Sequence, residues 1–169
     1  MSGPLGIVVM GVSGCGKSTL AAALGKHLEM DFLEGDRFHS SANVAKMVQA
    51  IPLTDEDRWP WLHSLGTALG EQARQKGTGL AACSALKRVY RDRLRESAAV
   101  PLRFLCLTGS RDVLLARMAA RKGHYMPVAL LDSQLATLEL PHPDEDALVI
   151  DVNASNEALL HRAVAAIAR

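Results

Sequence analysis

The stretch Gly11-Val12-Ser13-Gly14-Cys15-Gly16-Lys17-Ser18 matches the pattern G-x-x-x-x-G-K-[ST] at every fixed position. The residues before it, Leu5–Met10, form a short apolar run with β-branched side chains, as in a strand buried on both faces. Leucines recur at helical spacing after it, which predicts a helix from Lys17 to about Leu28. A glycine-rich turn of this pattern between a strand and a helix is typical of a phosphate-binding loop, called the P-loop below.

The residue types of the P-loop suit a nucleotide polyphosphate. Its glycines allow backbone N–H groups to surround a phosphate, and the helix N-terminus adds a partial positive charge. Lys17 is predicted to reach the β and γ phosphates and to act in catalysis, while Ser18 supplies a hydroxyl to Mg²⁺. A dinucleotide-binding G-x-G-x-x-G loop is disfavoured, because Thr19 stands where the last glycine belongs. The predicted nucleotide-binding residues are Gly11, Val12, Ser13, Gly14, Cys15, Gly16, Lys17, Ser18 and Thr19.

The rest of the chain alternates short apolar runs with helical patterns. This alternation predicts a parallel sheet covered by helices on both faces, with right-handed crossovers. Strands are predicted at Leu5–Met10, Asp31–Glu34, Gly79–Cys83, Leu102–Leu107 and Ala147–Val152. Helices are predicted at Lys17–Leu28, Ala42–Gln49, Trp61–Gln75, Leu86–Glu96, Arg111–Arg121, Val128–Leu138 and Glu157–Ala168.

Length, charge and cysteine usage restrict the function classes. A chain of 169 residues is in the usual range for a single domain. Its formal net charge of +1 supplies no long-range field for nucleic acid or an anionic membrane, so we expect neither partner. Cys15, Cys83 and Cys106 contain no C-x-x-C pair, which disfavours a disulfide framework or a zinc site. The early apolar run is too short for a secretory or membrane segment, and we expect a cytoplasmic protein.

Two carboxylates follow the second predicted strand. In Glu34-Gly-Asp36-Arg-Phe-His39 they lie where the carboxyl end of that strand opens onto the same crevice as the P-loop. One carboxylate is suited to orient an acceptor hydroxyl and take its proton, and the other to hold a water on Mg²⁺. The alternative is a polar turn around the glycine with solvated acids.

Arg58 is predicted to lie at a junction between a turn and a helix. Thr54 and Asp57 resemble a capping box, yet Pro60 disfavours helical geometry at the residue before it, so we expect a tight turn and a helix beginning near Pro60. An arginine at such a junction can bind a carboxylate through two hydrogen bonds. A salt bridge to Asp55 or Asp57 is the alternative.

Basic residues follow the third and fourth predicted strands. A basic stripe at helical spacing is formed by Lys87, Arg91 and Arg95. We expect Arg91 and Arg95 to lie on a solvated helix face, which describes Lys87 less well. Lys87 is expected beside the carboxyl edge of the sheet, in the first turn of the helix, where a cation opposes the helix dipole, so that a role in the site and a solvated position are both open. Arg117 and Arg121 lie one helical turn apart and lead into Lys-Gly-His, a segment suited to close over phosphates as a lid, or else the basic end of a helix.

Several blocks together closely resemble the gluconokinase family, over roughly residues 7 to 152. Beyond the P-loop they are Glu34-Gly-Asp36-x-x-His39, Asn43-x-x-Lys46-Met47, Pro52-Leu-Thr-Asp-Glu-Asp-Arg58-x-Pro60-Trp61-Leu62, Cys83-Ser-Ala-Leu-Lys87-Arg88-x-Tyr90-Arg91, Arg121-Lys-Gly-His124 and Ser133-Gln134-x-x-Thr137-Leu138-Glu139-x-Pro141. The sequence departs from the family at two positions. Glu34 stands where many members have Asp, which leaves its part in the metal shell open, and Ser40 stands where Pro is usual.

The resemblance implies a three-layer α/β/α fold like that of the shikimate and nucleoside monophosphate kinases. It comprises a five-stranded parallel sheet, a helical substrate-binding region at about 37–77 and a short lid at about 121–127. The resemblance further implies ATP with Mg²⁺ as donor, D-gluconate as acceptor, 6-phosphogluconate as product and a cytoplasmic homodimer. The catalytic residues would be Lys17, Asp36 and Arg121, and Arg117 would lie on the adenine side or be structural. The substrate-binding residues would be Asp36, His39, Arg58, Lys87, His124 and Gln134.

Two alternative functions are open at this point. One is a kinase of similar fold acting on shikimate or a nucleoside monophosphate, although those relatives lack the acceptor-side blocks quoted above. The other is a nucleotide-gated binding module or GTP switch. The sequence has no Asn-Lys-x-Asp motif for reading guanine, which argues against the switch.

Overall fold

The computed structural model of the protein describes residues 3–120 and 128–169. The strands in this part of the chain are β1 Leu5–Met10, β2 Leu33–Glu34, β3 Thr78–Ala82, β4 Leu102–Thr108 and β5 Ala147–Asp151. They pair in parallel in the order β2-β3-β1-β4-β5. The predicted five-stranded parallel sheet is therefore confirmed, although β2 is shorter than expected.

Helices cover both faces of the sheet. They are α1 Lys17–Leu28, α2 Ser41–Val48, α3 Asp55–Lys76, α4 Arg88–Ala98, α5 Arg111–Ala120, α6 Val128–Thr137 and α7 Asn156–Ile167. Single 3₁₀ turns at Gly35–Phe38 and Pro143–Glu145 were not expected from the sequence. None of the helices in the described ranges combines the length and apolar character needed to cross a bilayer.

The central strand β1 divides the core into two layers. Ile7 and Val9 pack with α1 and α7 on one face, while Val8 and Met10 pack with α3 and α4 on the other. All four side chains are fully buried, as the apolar run predicted. Because the P-loop joins the carboxyl end of β1 to the start of α1, this packing fixes the P-loop at the carboxyl edge of the sheet.

The predicted start of the third helix near Pro60 is wrong. The helix α3 begins at Asp55, and Pro60 lies inside it. The capping box explains the early start: Thr54 Oγ1 accepts a hydrogen bond from the Asp57 backbone N–H at 3.1 Å, and Asp57 Oδ2 accepts one from the Thr54 N–H at 2.9 Å. The missing N–H of a proline costs one intrahelical hydrogen bond, and here the cap, three acids in the first turn and packing against the sheet outweigh that cost.

Candidate active site

The P-loop is curled so that its lysine lies across it. Gly14 and Gly16 have φ angles of 82° and 97°, a left-handed conformation that glycine adopts without strain. The Val12 carbonyl accepts hydrogen bonds from the Lys17 ammonium at 3.0 Å and from the Cys15 backbone N–H at 3.3 Å. The ammonium of Lys17 is thus held at the loop whose N–H groups would surround a phosphate.

Ser18 and Glu34 are neighbours at the edge of the P-loop. The Ser18 hydroxyl donates to Glu34 Oε2 at 2.6 Å, because β2 ends beside the start of α1. Of the two carboxylates singled out in the sequence, Glu34 is therefore the one in contact with the P-loop hydroxyl. In the described ranges no three His, Cys, Asp or Glu side chains gather into a metal site made of protein alone. A hydroxyl and a carboxylate beside a phosphate position do fit Mg²⁺, which takes few protein oxygens and keeps phosphate and water ligands.

Gln134, predicted as a substrate-binding residue, lies on the donor side of the site. Its Oε1 accepts a hydrogen bond from the Ser13 backbone N–H at 2.6 Å. The helix α6 is therefore docked onto the P-loop through this side chain. A role near the phosphates describes this position better than a role at the far end of the acceptor.

Arg117 lies beside the end of the P-loop. Its guanidinium donates to the backbone carbonyls of Val152 at 2.6 Å and Ala154 at 3.1 Å, in the loop after β5. Its Nη1 is 3.6 Å from the place that a Cβ on Gly16 would occupy. This position suits either of the expected roles, on the adenine side or in holding the loop.

Asp36 projects from the turn that follows β2. Its neighbour Gly35 packs against the Ala82 carbonyl, where a Cβ would lie 2.5 Å from the oxygen. The indole Nε1 of Trp61 donates to the Gly35 carbonyl at 2.7 Å. These contacts fix the turn while the side chain of Asp36 stays exposed at the carboxyl edge of the sheet. Burial raises the pKa of the nearby Cys83 thiol to about 12, so this thiol is not a nucleophile at neutral pH.

His39 is held as a neutral imidazole. Its ring stacks on Trp61 with centroids 4.1 Å apart, and its Nδ1 is 3.3 Å from Asn43 Nδ2. Burial lowers the pKa of His39, and the positive charge of Arg58 acts in the same direction against the opposing effect of Asp36. Because Asn43 Nδ2 is a donor, Nδ1 is the acceptor, and the proton is assigned to Nε2.

Arg58 and Lys87 come together around one carboxylate. Asp55 Oδ1 lies 3.8 Å from Arg58 Nη1 and 3.6 Å from Lys87 Nζ, and it accepts a hydrogen bond from the Tyr90 hydroxyl at 2.6 Å. We call Asp55, Arg58, Lys87 and Tyr90 the acceptor cluster. Its two cations and one carboxylate leave one positive charge in excess, which suits a monoanionic ligand. The salt bridge to Asp55, one of the two interpretations of Arg58, is present, and Arg58 Nη1 also donates to the Leu53 carbonyl at 2.6 Å. Binding of a ligand carboxylate by Arg58 stays a prediction.

The side chain of Tyr90 keeps its proton in this cluster. Burial raises the pKa of Tyr90 to about 12, and the hydrogen bond to Asp55 adds to the effect. The same hydrogen bond holds the pKa of Asp55 below its usual range, with further help from Lys87 and Arg58. The sequence suggests Asp55 only as a possible salt-bridge partner of Arg58, because its other partners, Tyr90 in α4 and Lys87 just before α4, lie far along the chain.

The prediction of a solvated face for Arg91 is wrong. Its side chain is 0% exposed and forms a double hydrogen bond with Glu145, at 2.7 Å from Nε to Oε1 and 3.2 Å from Nη2 to Oε2. Arg95 is partly buried and also contacts Glu145, at 3.2 Å. Burial alone raises the pKa of Glu145, but hydrogen bonds from Arg91 and the His142 backbone outweigh burial and hold that pKa well below the usual range. Helical spacing could not reveal this partner, which lies 54 residues further along the chain.

The predicted lid residues Arg121 and His124 lie outside the described residues. The helix α5 is described to Ala120, and α6 begins at Val128. The lid at about 121–127 therefore stays a prediction from the sequence.

A P-loop with a serine–glutamate pair, an exposed aspartate after β2 and a cluster with two cations, on the frame of a parallel sheet, are the features of a P-loop kinase. A family model described as an AAA domain matches residues 7–141. The thermosensitive gluconokinase of Escherichia coli (strain K12) is 46% identical over 147 residues, which are 86% of this chain and 78% of that protein. The chain belongs to the gluconokinase family.

Solved structures agree with this assignment. The crystal structure of a gluconokinase from Sinorhizobium meliloti 1021 superimposes with a TM-score of 0.89 at 45% identity, covering 100% of this chain and 94% of that one. A shikimate kinase from Bacteroides thetaiotaomicron superimposes with a TM-score of 0.66 at 14% identity, covering 98% of this chain and 99% of that one. The second likeness concerns the fold alone and confirms the architecture expected from the sequence.

Proposed function

We propose that this protein transfers the γ-phosphoryl group of ATP to the terminal hydroxyl of D-gluconate, giving 6-phospho-D-gluconate. The observation that carries the proposal is the acceptor cluster, in which Arg58 and Lys87 flank Asp55 at 3.8 and 3.6 Å and leave one positive charge in excess. A neutral sugar would leave that charge without a partner, whereas an aldonate supplies a carboxylate. Family membership at 46% identity to a gluconokinase supports the same acceptor.

On the donor side the P-loop binds the phosphates of ATP. Lys17, held at 3.0 Å from the Val12 carbonyl, turns to the β and γ phosphates when they enter the loop. Backbone N–H groups from Gly14 to Ser18 surround the β phosphate, supported by the N-terminus of α1. Ser18 and Glu34 would hold Mg²⁺ directly or through water, and this ion when bound supplies positive charge at the β and γ phosphates.

On the acceptor side Asp36 orients the terminal hydroxyl and accepts its proton as transfer proceeds. The carboxylate is exposed at the carboxyl edge of the sheet, on a turn fixed by Trp61 and Ala82. Arg58 and Lys87 bind the carboxylate at the other end of the acceptor, with Tyr90 and Asp55 holding them in place. His39 offers its Nε2 proton to a hydroxyl oxygen, since its Nδ1 faces Asn43.

The remaining roles rest on the sequence resemblance. Arg121 would close from the lid onto the transferring phosphates, and His124 would contact the acceptor. An arginine supplied from the same chain stabilises charge that develops in phosphoryl transfer. Gln134 links α6 to the P-loop through Ser13, so the helix after the lid is in contact with the phosphate site.

The same resemblance supports a homodimer in the cytoplasm. The cysteines Cys15, Cys83 and Cys106 are all free and buried, and free thiols are the form that a reducing compartment maintains. Sedimentation velocity of the purified protein at micromolar concentration tests the assembly. A single species at the monomer mass would overturn the proposed dimer and leave the catalytic proposal intact.

A coupled assay of ADP formation tests the proposed reaction. Purified protein, ATP and Mg²⁺ are screened against gluconate, other aldonates, shikimate and nucleoside monophosphates, with GTP replacing ATP in a parallel series. We expect turnover with gluconate that depends on ATP and Mg²⁺. Turnover with shikimate or a nucleotide in place of gluconate would overturn the acceptor, and turnover with none of them would overturn the assignment as a kinase of small acceptors.

A further inference from the structure

The loop from Cys83 to Lys87, called the β3–α4 loop, connects the two halves of the site. At its start the Ser84 carbonyl accepts a hydrogen bond from the backbone N–H of Gly11, the first residue of the P-loop, at 3.3 Å. At its end Lys87 enters the acceptor cluster, 3.6 Å from Asp55. The path of this short loop therefore sets where the Lys87 ammonium lies relative to the phosphates.

The middle of the β3–α4 loop has an unfavourable backbone conformation. Ala85 has a φ angle of 45° and is buried. A residue with a Cβ rarely adopts this left-handed conformation, because the Cβ crowds the following carbonyl. Such a conformation persists only where surrounding contacts impose it, and residues of this kind cluster at functional sites.

The side chain of Arg91 contacts the backbone of this loop. Its Nη1 donates to the Ala85 carbonyl at 2.8 Å and to the Leu86 carbonyl at 3.3 Å. The guanidinium thereby binds the two consecutive carbonyls that lie between the strained Ala85 and Lys87. The other nitrogens of the same guanidinium are occupied by Glu145, which fixes its plane.

Glu145 anchors this arginine to a different part of the chain. Its Oε2 accepts the His142 backbone N–H at 2.8 Å, and its own carbonyl accepts from Arg95 at 2.9 Å. Arg91 and Glu145 side chains are both 0% exposed. Burying such a pair gives little net stability compared with apolar side chains of the same size, so a positional role explains it better than a stabilising one.

We propose that Arg91 is a positioning residue for the acceptor site: it holds Ala85 in the left-handed conformation, with Glu145 as its anchor, and so places Lys87 against the acceptor carboxylate. This inference rests on the proposed function for the identity of the acceptor. It assigns no contact between Arg91 and either substrate. Its effect is expected on binding of the acceptor and not on binding of ATP.

The test uses a substitution and its reversal. Arg91→Lys keeps the charge but cannot bind two carbonyls and a carboxylate in one plane, so we expect KM for gluconate to rise about tenfold or more while KM for ATP stays within about twofold. Ala85→Gly in the same chain removes the penalty on the left-handed conformation. The double variant Arg91→Lys/Ala85→Gly should return KM for gluconate to within about threefold of the wild type.

Arg74→Lys is the matched control. Arg74 lies in the last turn of α3 and also donates to a backbone carbonyl, that of Ala98 at the end of α4, at 2.9 Å, but it makes no hydrogen bond to Glu145 or to the β3–α4 loop among the described residues. We expect it to leave KM for gluconate within about twofold of the wild type. An equal rise in KM for Arg74→Lys and Arg91→Lys would mean a general loss of stability and would overturn the proposal.

Glu145→Asp is the second variant if Arg91→Lys does not fold. It withdraws the anchor by about one bond length, so we expect a smaller rise in KM for gluconate that Ala85→Gly again reverses. A rise in KM that the glycine does not reverse, or no rise in a folded variant, would overturn the proposed role. Failure of the proposed function is separate, because it would show in the wild type as turnover of another acceptor, and the same KM series is then measured with that acceptor.

Discussion

The donor half and the acceptor half of the site are built in different ways. The donor half is a continuous loop, Gly11 to Ser18, in which backbone N–H groups and one helix N-terminus would do most of the binding. The acceptor half collects side chains from the turn after β2, from α2, from the start of α3, from the β3–α4 loop and from α4. Its members are held by hydrogen bonds and ion pairs between residues distant in sequence, such as Asp55 with Tyr90.

Because of this difference, we expect the two halves to respond differently to amino-acid substitutions. A backbone cradle for phosphate depends on glycine conformations and one lysine, so it serves many acceptors in this fold. In the proposed function the acceptor cluster recognises the acceptor through its side chains, and a substitution can change any one of them. We therefore expect substitutions in the donor half to affect kcat with any acceptor and those in the acceptor cluster to affect KM for gluconate.

The largest effect is expected for Lys17→Ala. No other side chain of the P-loop carries a positive charge, so the developing charge on the transferring phosphoryl group loses the cation that the P-loop supplies. Single-turnover transfer at saturating ATP should slow by about a thousandfold or more. Lys26→Ala, on the exposed last turn of the same helix, is the control and should retain the wild-type rate. A rate for Lys17→Ala within about threefold of the wild type would contradict the role.

A smaller loss is expected for Asp36→Asn. The amide still orients a hydroxyl but cannot accept its proton, so kcat should fall on the order of a hundredfold while KM for gluconate changes little. Steady-state kinetics with gluconate as the varied substrate measures both. Asp31→Asn, an exposed aspartate ahead of β2, is the control. Near-normal kcat for Asp36→Asn would transfer the role of base to another group.

Arg58→Lys tests the acceptor cluster itself. Lysine keeps the charge beside Asp55 but loses the planar fork that binds a carboxylate through two hydrogen bonds. We expect KM for gluconate to rise about tenfold, corresponding to ~1.4 kcal/mol, with KM for ATP unchanged. A variant that binds ATP more weakly and gluconate normally would place Arg58 in the donor half and remove the distinction between the halves.

The smallest effect is a pH dependence set by His39. Burial lowers the pKa of this imidazole below its ordinary 6.5, so the ring is neutral at neutral pH and gains a proton only as the pH falls below that value. The added proton would face the amide donor of Asn43, 3.3 Å away. KM for gluconate should therefore be constant from pH 8 to about 6.5 and rise at lower pH.

His39→Gln is expected to remove this pH dependence, and His27→Gln, at the exposed end of α1, to leave it unchanged. The profile is measured as KM for gluconate between pH 5 and 8 at saturating ATP. A rise in KM at low pH that persists in His39→Gln would assign the titration to another group.

The two halves also differ in how well the sequence predicts them. The P-loop, β1 and α1 follow from one local pattern, and their bounds agree with the structure residue for residue. The sequence predicts too late a start for α3, because Pro60 disfavours a helix before it. The capping box at Thr54 and Asp57 is also visible in the sequence, and in the structure the helix begins there. Local patterns describe propensity, and a proline inside a capped, packed helix is a case in which packing outweighs propensity.

The rest of the acceptor site depends on contacts that no local pattern contains. Helical periodicity places Arg91 on a basic stripe. Its burial, however, depends on Glu145, which lies beyond β4, α5 and α6 in the chain, in the turn before β5. The grouping of Asp55 with Lys87 likewise requires α3 and α4 to pack side by side. The sequence supplies Arg58 and Lys87 as candidates and Asp55 as a possible partner of Arg58, whereas the approach of Lys87 and Tyr90 to Asp55 depends on the fold.

Recognition of a carboxylate by the acceptor cluster can be measured by comparing kcat/KM for D-gluconate with that for D-glucitol, which carries a neutral CH₂OH group in place of the carboxylate on the same chain of hydroxyls. The excess positive charge at Arg58 and Lys87 predicts a preference for gluconate of at least about a hundredfold, expressed mainly in KM. Values of kcat/KM within about threefold of each other would show that the acceptor cluster does not recognise the carboxylate.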